Sequence, residues 1–429
     1  MDDKVKYLLS LDAVRERAKQ VGKAAEAGKL SHFDVHEERL KDVAVFVTGV
    51  IKRDYGPDKF DTIPPHGRWQ HFEVGGVPRV AEVMKSWKED GVDDLEITRR
   101  LIDLFFVSVL LDAGAGDHWR YVEPGTQQKY ERSEGIAVAS FYMFKNLDFA
   151  SVKDAKSPIV DGKGLEGLST DALAKGFQVT ESNPLLGTES RADLLRGLGK
   201  SLLAQPKVFG ENGRPGAVVD YLRSNSEDPS KLSVKTFWDI LQTLLIPVWP
   251  KDRTTLNGQS IGDAWPLSTL EKNAASPSKD ETDRIQPFHK LTQWLAYSLM
   301  VPFQRMLGVQ WQDAEFLTAL PEYRNGGLFV DLGVLSLKKE ALDKGLKAST
   351  NNLPVFTADD DVVVEWRAMT LVLIDKLHGM VLEEMGGVPL TMAQLLEAGT
   401  WKSGRELAAK NRPDTKSSPI IIQSDGTVF

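Results

Sequence analysis

Apolar residues recur with helical spacing along most of the chain. Between residues 8 and 30, Leu8, Leu11, Val14, Ala18 and Val21 fall on one face, with charges between them and Gly28 after them. A second amphipathic helix is expected from His36 to Ile51. Residues 94–112 are apolar nearly all round (Leu101, Ile102, Leu104, Phe105, Phe106, Val107, Val109, Leu110, Leu111), which predicts a helix in the middle of a large fold. Its exit is glycine-broken: Gly114 is placed to cap the helix and Gly116 lets the backbone turn again. Ser133 reads as the N-cap of a helix through Phe144, with Glu134 in its first turn. Further helices are expected over 183–203, 234–246, 286–308 (with Pro287 near its start), 362–385 and 391–410. Residues 151–182 read as a surface excursion, and the apolar tail from Ser418 as a strand-like piece that docks on the body. The fold class expected is mainly α: one large multi-helix globular fold with minor short strands. Residues 1–429 form a single compact helical unit in this reading, with 1–60 as a candidate N-terminal helical subregion.

Composition narrows the classes. Hydrophobic residues make up 41% and charged residues 27%, a balance that supports a sizeable core. The net charge of −8 argues against nucleic acid as the main partner, since phosphate neutralisation needs a basic surface. Cysteine is absent, which removes disulfides, thiolate nucleophiles and cysteine-ligated metals. There is no apolar run of the roughly 20 residues a membrane span needs, and Met1-Asp2-Asp3-Lys4 is no signal peptide. A soluble cytoplasmic protein without a membrane partner is expected.

Four polar stretches interrupt the helical pattern. One is Leu111-Asp112 through Asp117-His118-Trp119-Arg120, where an acid, an imidazole, an indole and a guanidinium follow each other. The second is the proline- and glycine-rich loop from Ile63 to Gly76, whose Arg68, Trp69, Gln70 and His71 either floor a pocket or pin the loop. The third is the stripe His289, Gln293, Tyr297, spaced i, i+4, i+8, which faces either a ligand or a buried structural network. The fourth is Pro321-Glu322-Tyr323-Arg324-Asn325-Gly326-Gly327, read either as a solvated turn or as a carboxylate held by its neighbours.

Known motifs eliminate much. The seven histidines are scattered with no HExxH or HxH spacing, so no metal is expected. No G-x-S-x-G elbow, G-x-G-x-x-G or P-loop occurs, so neither a serine triad nor a nucleotide cofactor has a signature. What remains is carboxylate chemistry: Asp117, Glu134, Glu322 and Asp331 stand near Trp and Tyr. Glycosidic cleavage needs little more than a carboxylate for an oxocarbenium-like transition state and help for the leaving group.

Five separated motifs bring in a family. Gly67-Arg68-Trp69-Gln70-His71-Phe72-Glu73, Leu111 through Trp119, Arg132-Ser133-Glu134-Gly135, Pro321 through Gly327, and Ser424-Asp425-Gly426-Thr427-Val428-Phe429 occur in order. Together they resemble the uracil catabolism protein four family over essentially the whole chain. That resemblance implies a place in the URC route, in which uracil becomes a ribonucleotide, its ring is opened and urea is released. More faintly, Glu322-Tyr323-Arg324 through Leu335 is similar to the Asp-Tyr-Arg segment of queuosine-salvage nucleotide N-glycosidases. This second resemblance implies a helix-hairpin-helix glycosylase-like core. Two departures stand out: the aspartate is Glu322 here, and Pro-Gln after the arginine is Gly326-Gly327. Asp117 has no acidic counterpart there.

The resemblances imply hydrolysis of the N-glycosidic bond of a ring-opened uridine nucleotide, ribosylurea phosphate. Glu322 and Asp117 are the implied catalytic carboxylates. Trp119 and Tyr323 would wall the pocket, with Glu134 as a further binding candidate. Arg324 would orient Glu322. Arg120, Arg191 and Lys290 are phosphate candidates, and His289 and Gln293 would contact sugar hydroxyls. No cofactor is implied, and the partner is a small phosphorylated riboside. Two other classes stay open: a metal-dependent amidohydrolase acting on the ureido group, and a non-catalytic binding protein of the same route.

Overall fold

The computed structural model describes residues 2–112, 118–153, 157–250, 253–273 and 280–423. The principal helices are α1 (Leu11–Glu26), α2 (Leu40–Tyr55), α3 (Arg68–Phe72), α4 (Asp94–Leu110), α5 (Arg132–Lys145), α6 (Thr188–Leu203), α7 (Val234–Leu245), α8 (Lys290–Leu307), α9 (Tyr323–Asp331), α10 (Asp361–Glu384) and α11 (Trp401–Asn411). Strands occur only as two-stranded pairs among the described residues. Three of these pairs matter below: β1 (Arg120–Val122) with β2 (Lys129–Glu131), β3 (Ala264–Pro266) with β4 (Ile285–Pro287), and β5 (Val355–Thr357) with β6 (Ile421–Gln423). The fold is mainly helical, as the periodicity predicts.

The centre is α4 packed along α8. Asp93 caps α4 by accepting the backbone N–H of Glu96 at 2.7 Å. From Leu101 to Leu110 every residue of α4 is buried, which is what an all-round apolar helix requires of its surroundings. In α8 every residue from Leu291 to Phe303 is buried, and Gly308, at φ +64°, ends the helix. Around this pair α10 packs on α1 and α2, and α9 lies between α10 and α11. One apolar cluster runs through all of these from Leu11 to Ile420. Among the described residues no helix is long and apolar enough to cross a membrane.

Several boundaries differ from expectation, each for a local reason. The first predicted helix is divided: a short Asp3–Leu8 helix precedes α1, which starts where Ser10 caps Ala13. The helix expected from 286 starts at Lys290, because Ile285–Pro287 pairs as a strand and His289 turns through a left-handed φ of +47°. Ser133 is not an N-cap. Helix α5 begins at Arg132, itself at φ +51°, and Glu131 precedes it without a side-chain cap; Glu134 does sit in the first turn. The loop from Ile63 to Gly76 contains the short helix α3. Residues 151–182 bury Val160, Leu165, Leu173 and Phe177 around two short helices, so this segment is more than surface. The tail docks as β6, parallel to β5. Gly114, Gly116, Asp117 and the Ser424–Phe429 motif lie outside the described residues.

Candidate functional site

A cavity of about 550 Å³ opens where the starts of α5, α8 and α9, the end of α4 and the tail strand β6 converge. Its polar wall includes Asp112, Arg132, Lys290, Glu322, Tyr323 and Arg324. Its apolar and aromatic wall includes Trp294 of α8, Trp401 of α11, and Ile421 and Ile422 of β6. An apolar wall of this kind lowers the local dielectric and strengthens the charge interactions beside it.

Glu322 is the N-cap of α9. Its Oε2 accepts the Arg324 backbone N–H at 2.7 Å and its Oε1 accepts that of Asn325 at 2.5 Å. Two main-chain dipoles and the helix start therefore hold a carboxylate in place. Burial pushes its pKa up, while the two backbone N–H groups and Lys290 pull the other way; the balance stays above the ordinary glutamate value. Behind it, a Cβ on Gly326 would meet Thr370 Oγ1 and Trp366 Cε2 at 2.8 Å, so α9 presses on α10 only because glycine stands there. The Arg324 guanidinium does not orient Glu322. It donates to the Lys416 carbonyl at 2.9 Å, and it is the arginine's backbone that holds the acid.

Lys290 is the first residue of α8, and its backbone N–H donates to Asp263 Oδ2 at 2.9 Å. Burial brings its ammonium pKa down to about 8, with Arg367 adding to the fall and Glu322, Asp263 and Asp112 opposing it. Asp263 is in turn clamped by both Arg367 Nη atoms at 2.8 Å, and Arg367 Nε donates to the Pro321 carbonyl at 3.2 Å. One buried ion pair thus fixes Lys290 and the residue before Glu322 relative to each other.

Asp112, at the end of α4, pairs with fully buried Arg68 at 2.9 Å. Arg68 also donates to Ser108 Oγ at 2.7 Å and to the Ser133 carbonyl at 3.1 Å, tying α3, α4 and α5 together. Burial raises the Asp112 pKa and Arg68 opposes the rise. Among the described residues no group of three or more His, Cys, Asp or Glu could hold a metal ion.

The family described as "Protein of unknown function (DUF1688)" matches residues 7–429. "Protein urg3" of Schizosaccharomyces pombe is 49% identical over 428 residues, covering 99% of each chain. "Uracil catabolism protein 4" of Lachancea kluyveri is 44% identical over 444 residues, covering 100% of each. The chain belongs to the uracil catabolism protein 4 family.

In this family member the cavity gathers some expected residues and not others. Glu322, Tyr323, Arg324 and Lys290 line it. Trp119 does not: it is fully buried, stacks on Phe177 at 5.6 Å and donates to that residue's carbonyl at 2.9 Å. Arg120 lies on the β1–β2 hairpin and pairs with Glu131 at 2.7 Å. Glu134 pairs with Arg405 at 2.9 Å and is not a lining residue. Arg191 is buried behind the wall, donating to the Leu111 carbonyl at 2.9 Å, and burial brings its pKa down to about 10. His289 and Gln293 serve packing: His289 Nε2 meets the Leu8 carbonyl at 2.8 Å, and Gln293 exchanges hydrogen bonds with Thr318. Tyr297 donates to the Thr318 carbonyl at 2.9 Å, so the stripe is a structural network. Asp331 is bound by Arg412 at 2.6 Å. The lining histidines, His66 and His71, came from the loop whose role the pattern left open, and nothing in the sequence singled out Trp294.

Proposed function

We propose that the protein hydrolyses the N-glycosidic bond of ribosylurea phosphate to urea and ribose phosphate, as a step of uracil catabolism. The observation that carries this reading is Glu322, a carboxylate on the cavity wall held by two backbone N–H groups beside a lysine of lowered pKa. The name of the Lachancea kluyveri relative supplies the pathway, and the likeness of the Glu-Tyr-Arg segment to nucleotide N-glycosidases supplies the bond.

As the C1–N bond lengthens, positive charge grows on the ribose ring. Glu322 stabilises that charge, then takes the proton of the water whose oxygen bonds to C1. The departing nitrogen must gain a proton so that urea leaves neutral. Lys290, with a pKa of about 8, carries such a proton at neutral pH. Arg132 and the start of α5 suit the phosphate, since a helix N-terminus and a guanidinium both favour an anion. A glycosylase-like arrangement of the helical core belongs to the same proposal.

The test is incubation of pure protein with ribosylurea phosphate. Intact urea and ribose phosphate in equal amounts are expected. Ammonia or carbamate in place of urea points to attack on the ureido group instead, and no urea at any enzyme concentration sinks the reading.

A further inference from the structure

Four rings close on one another at one side of the cavity. His66 lies 6.5 Å from Trp294 and 5.9 Å from Trp401; His71 lies 5.9 Å from Trp294 and 6.0 Å from Trp401. All four line the cavity. The Trp294 indole N–H is buried, in a residue only 7% exposed, and among the described residues it has no hydrogen-bond partner. A buried N–H without an acceptor is costly, and tryptophan normally finds one. In a cavity wall the missing acceptor is naturally a ligand's.

The two imidazoles are polarised in opposite senses. His66 Nδ1 meets Glu397 Oε2 at 2.6 Å, and a carboxylate can only accept, so Nδ1 carries a proton. His71 Nδ1 faces Arg68 Nη1 at 3.4 Å, and a guanidinium can only donate, so the proton of His71 is on Nε2. Burial and then the Arg68 charge keep His71 neutral. Cations already sit against both indoles: Arg68 Cζ is 5.4 Å from the Trp294 ring and Arg405 Cζ is 4.7 Å from the Trp401 ring. A cationic ligand group is therefore disfavoured.

We infer that His66, His71, Trp294 and Trp401 form a subsite for a planar, uncharged carboxamide-type group. The carbonyl oxygen accepts from Trp294 Nε1 and His71 Nε2. This deepens the proposed function and rests on it for the ligand: in ribosylurea phosphate the group is the ureido end. Lys290 and Trp294 stand one turn apart on α8, so the acid and this box share a helix face.

The experiment uses Glu322→Gln protein, which blocks turnover, and calorimetric titration with ribosylurea phosphate and with ribose 5-phosphate. Ribosylurea phosphate is expected to bind at least about 30-fold more tightly, through hydrogen bonds made only by the ureido group. Adding Trp294→Phe should remove about ten-fold of that increment and leave ribose 5-phosphate binding unchanged. Equal losses for both ligands, or an unchanged increment, overturn the subsite. Should Trp294→Phe fail to fold, the guanidino analogue decides on Glu322→Gln protein alone. It lacks the carbonyl and is cationic, and it should bind no better than ribose 5-phosphate; binding as tight as that of the ureide overturns the subsite. A ureido increment without urea release by the unaltered enzyme sinks the hydrolysis reading and leaves the subsite standing. Urea release with an increment insensitive to Trp294 does the reverse.

Discussion

Two carboxylates stand on the cavity wall, at the end of α4 and at the start of α9, and they are held in opposite ways. Asp112 is neutralised by a full cation, the Arg68 guanidinium, which also ties three helices together. Glu322 is held by two backbone N–H groups that orient it without cancelling its charge. A carboxylate spent on a buried arginine is an architectural part. One held by dipoles keeps its negative charge available to a developing cation. The same cavity thus separates an acid that builds the site from an acid that can act in it.

Substitutions can break this contrast. The largest effect is expected for Glu322→Gln, which keeps one acceptor for the helix cap but removes the second acceptor and the charge. Its kcat for urea release should fall by about 10³-fold, within the range for a positioned acid or base, with a stability loss of about 1–3 kcal/mol from the backbone N–H left unpaired. A Glu322→Gln enzyme of normal kcat would make the contrast meaningless. Asp112→Asn should do the opposite: it leaves Arg68 buried without its counter-charge and costs about 3–5 kcal/mol of stability in urea-denaturation curves. A stable Asp112→Asn protein with kcat lost as in Glu322→Gln would exchange the roles of the two acids.

Lys290 sharpens the picture through pH. Its ammonium loses its proton through about pH 8, so turnover should decline as pH rises past that value, and Lys290→Met should lower kcat by about 10²-fold and abolish the inflection. The sign for stability is opposite. With the folded pKa below the unfolded value of 10.5, the unfolded chain holds more protons between about pH 8 and that value, and this residue's contribution to stability rises with pH across that window. The decline in turnover is therefore separable from unfolding, and a flat rate profile in the unaltered enzyme removes Lys290 as the acid. The smallest effect is expected at Arg120, whose ion pair with Glu131 is half-exposed: Arg120→Ala should change stability and KM by less than about 0.5 kcal/mol. A tenfold rise in KM would return the hairpin to the site.

The helical class was legible because α1, α2, α4 and α10 carry their burial pattern openly in residue spacing. Glu322 stood out as a carboxylate that its neighbours could hold and through the resemblance of its segment to nucleotide N-glycosidases, while the helix it caps, α9, was not among the helices the spacing predicts. The stretch around Trp119 misled for a physical reason. An indole and a guanidinium beside a glycine-broken helix exit look the same whether they face a ligand or a phenylalanine, and here Trp119 faces Phe177. Arg191 and His289 misled likewise, since a buried polar side chain must find a partner and a main-chain carbonyl serves as well as a substrate. The ring box was legible only in part: the loop with His66 and His71 stood out as a candidate pocket floor, but Trp294 and Trp401 come from distant segments that only tertiary packing joins to it.

The parallel pairing of β6 with β5 places Ser417 to Gln423 along the cavity that also includes His66 and His71. On a ribosome, the first walls are made when little of the chain exists, and the final wall emerges only after residue 423. Closure of so long a loop is slow compared with local helix formation. A nascent or prematurely stopped chain can therefore be largely helical and still lack this wall of the cavity.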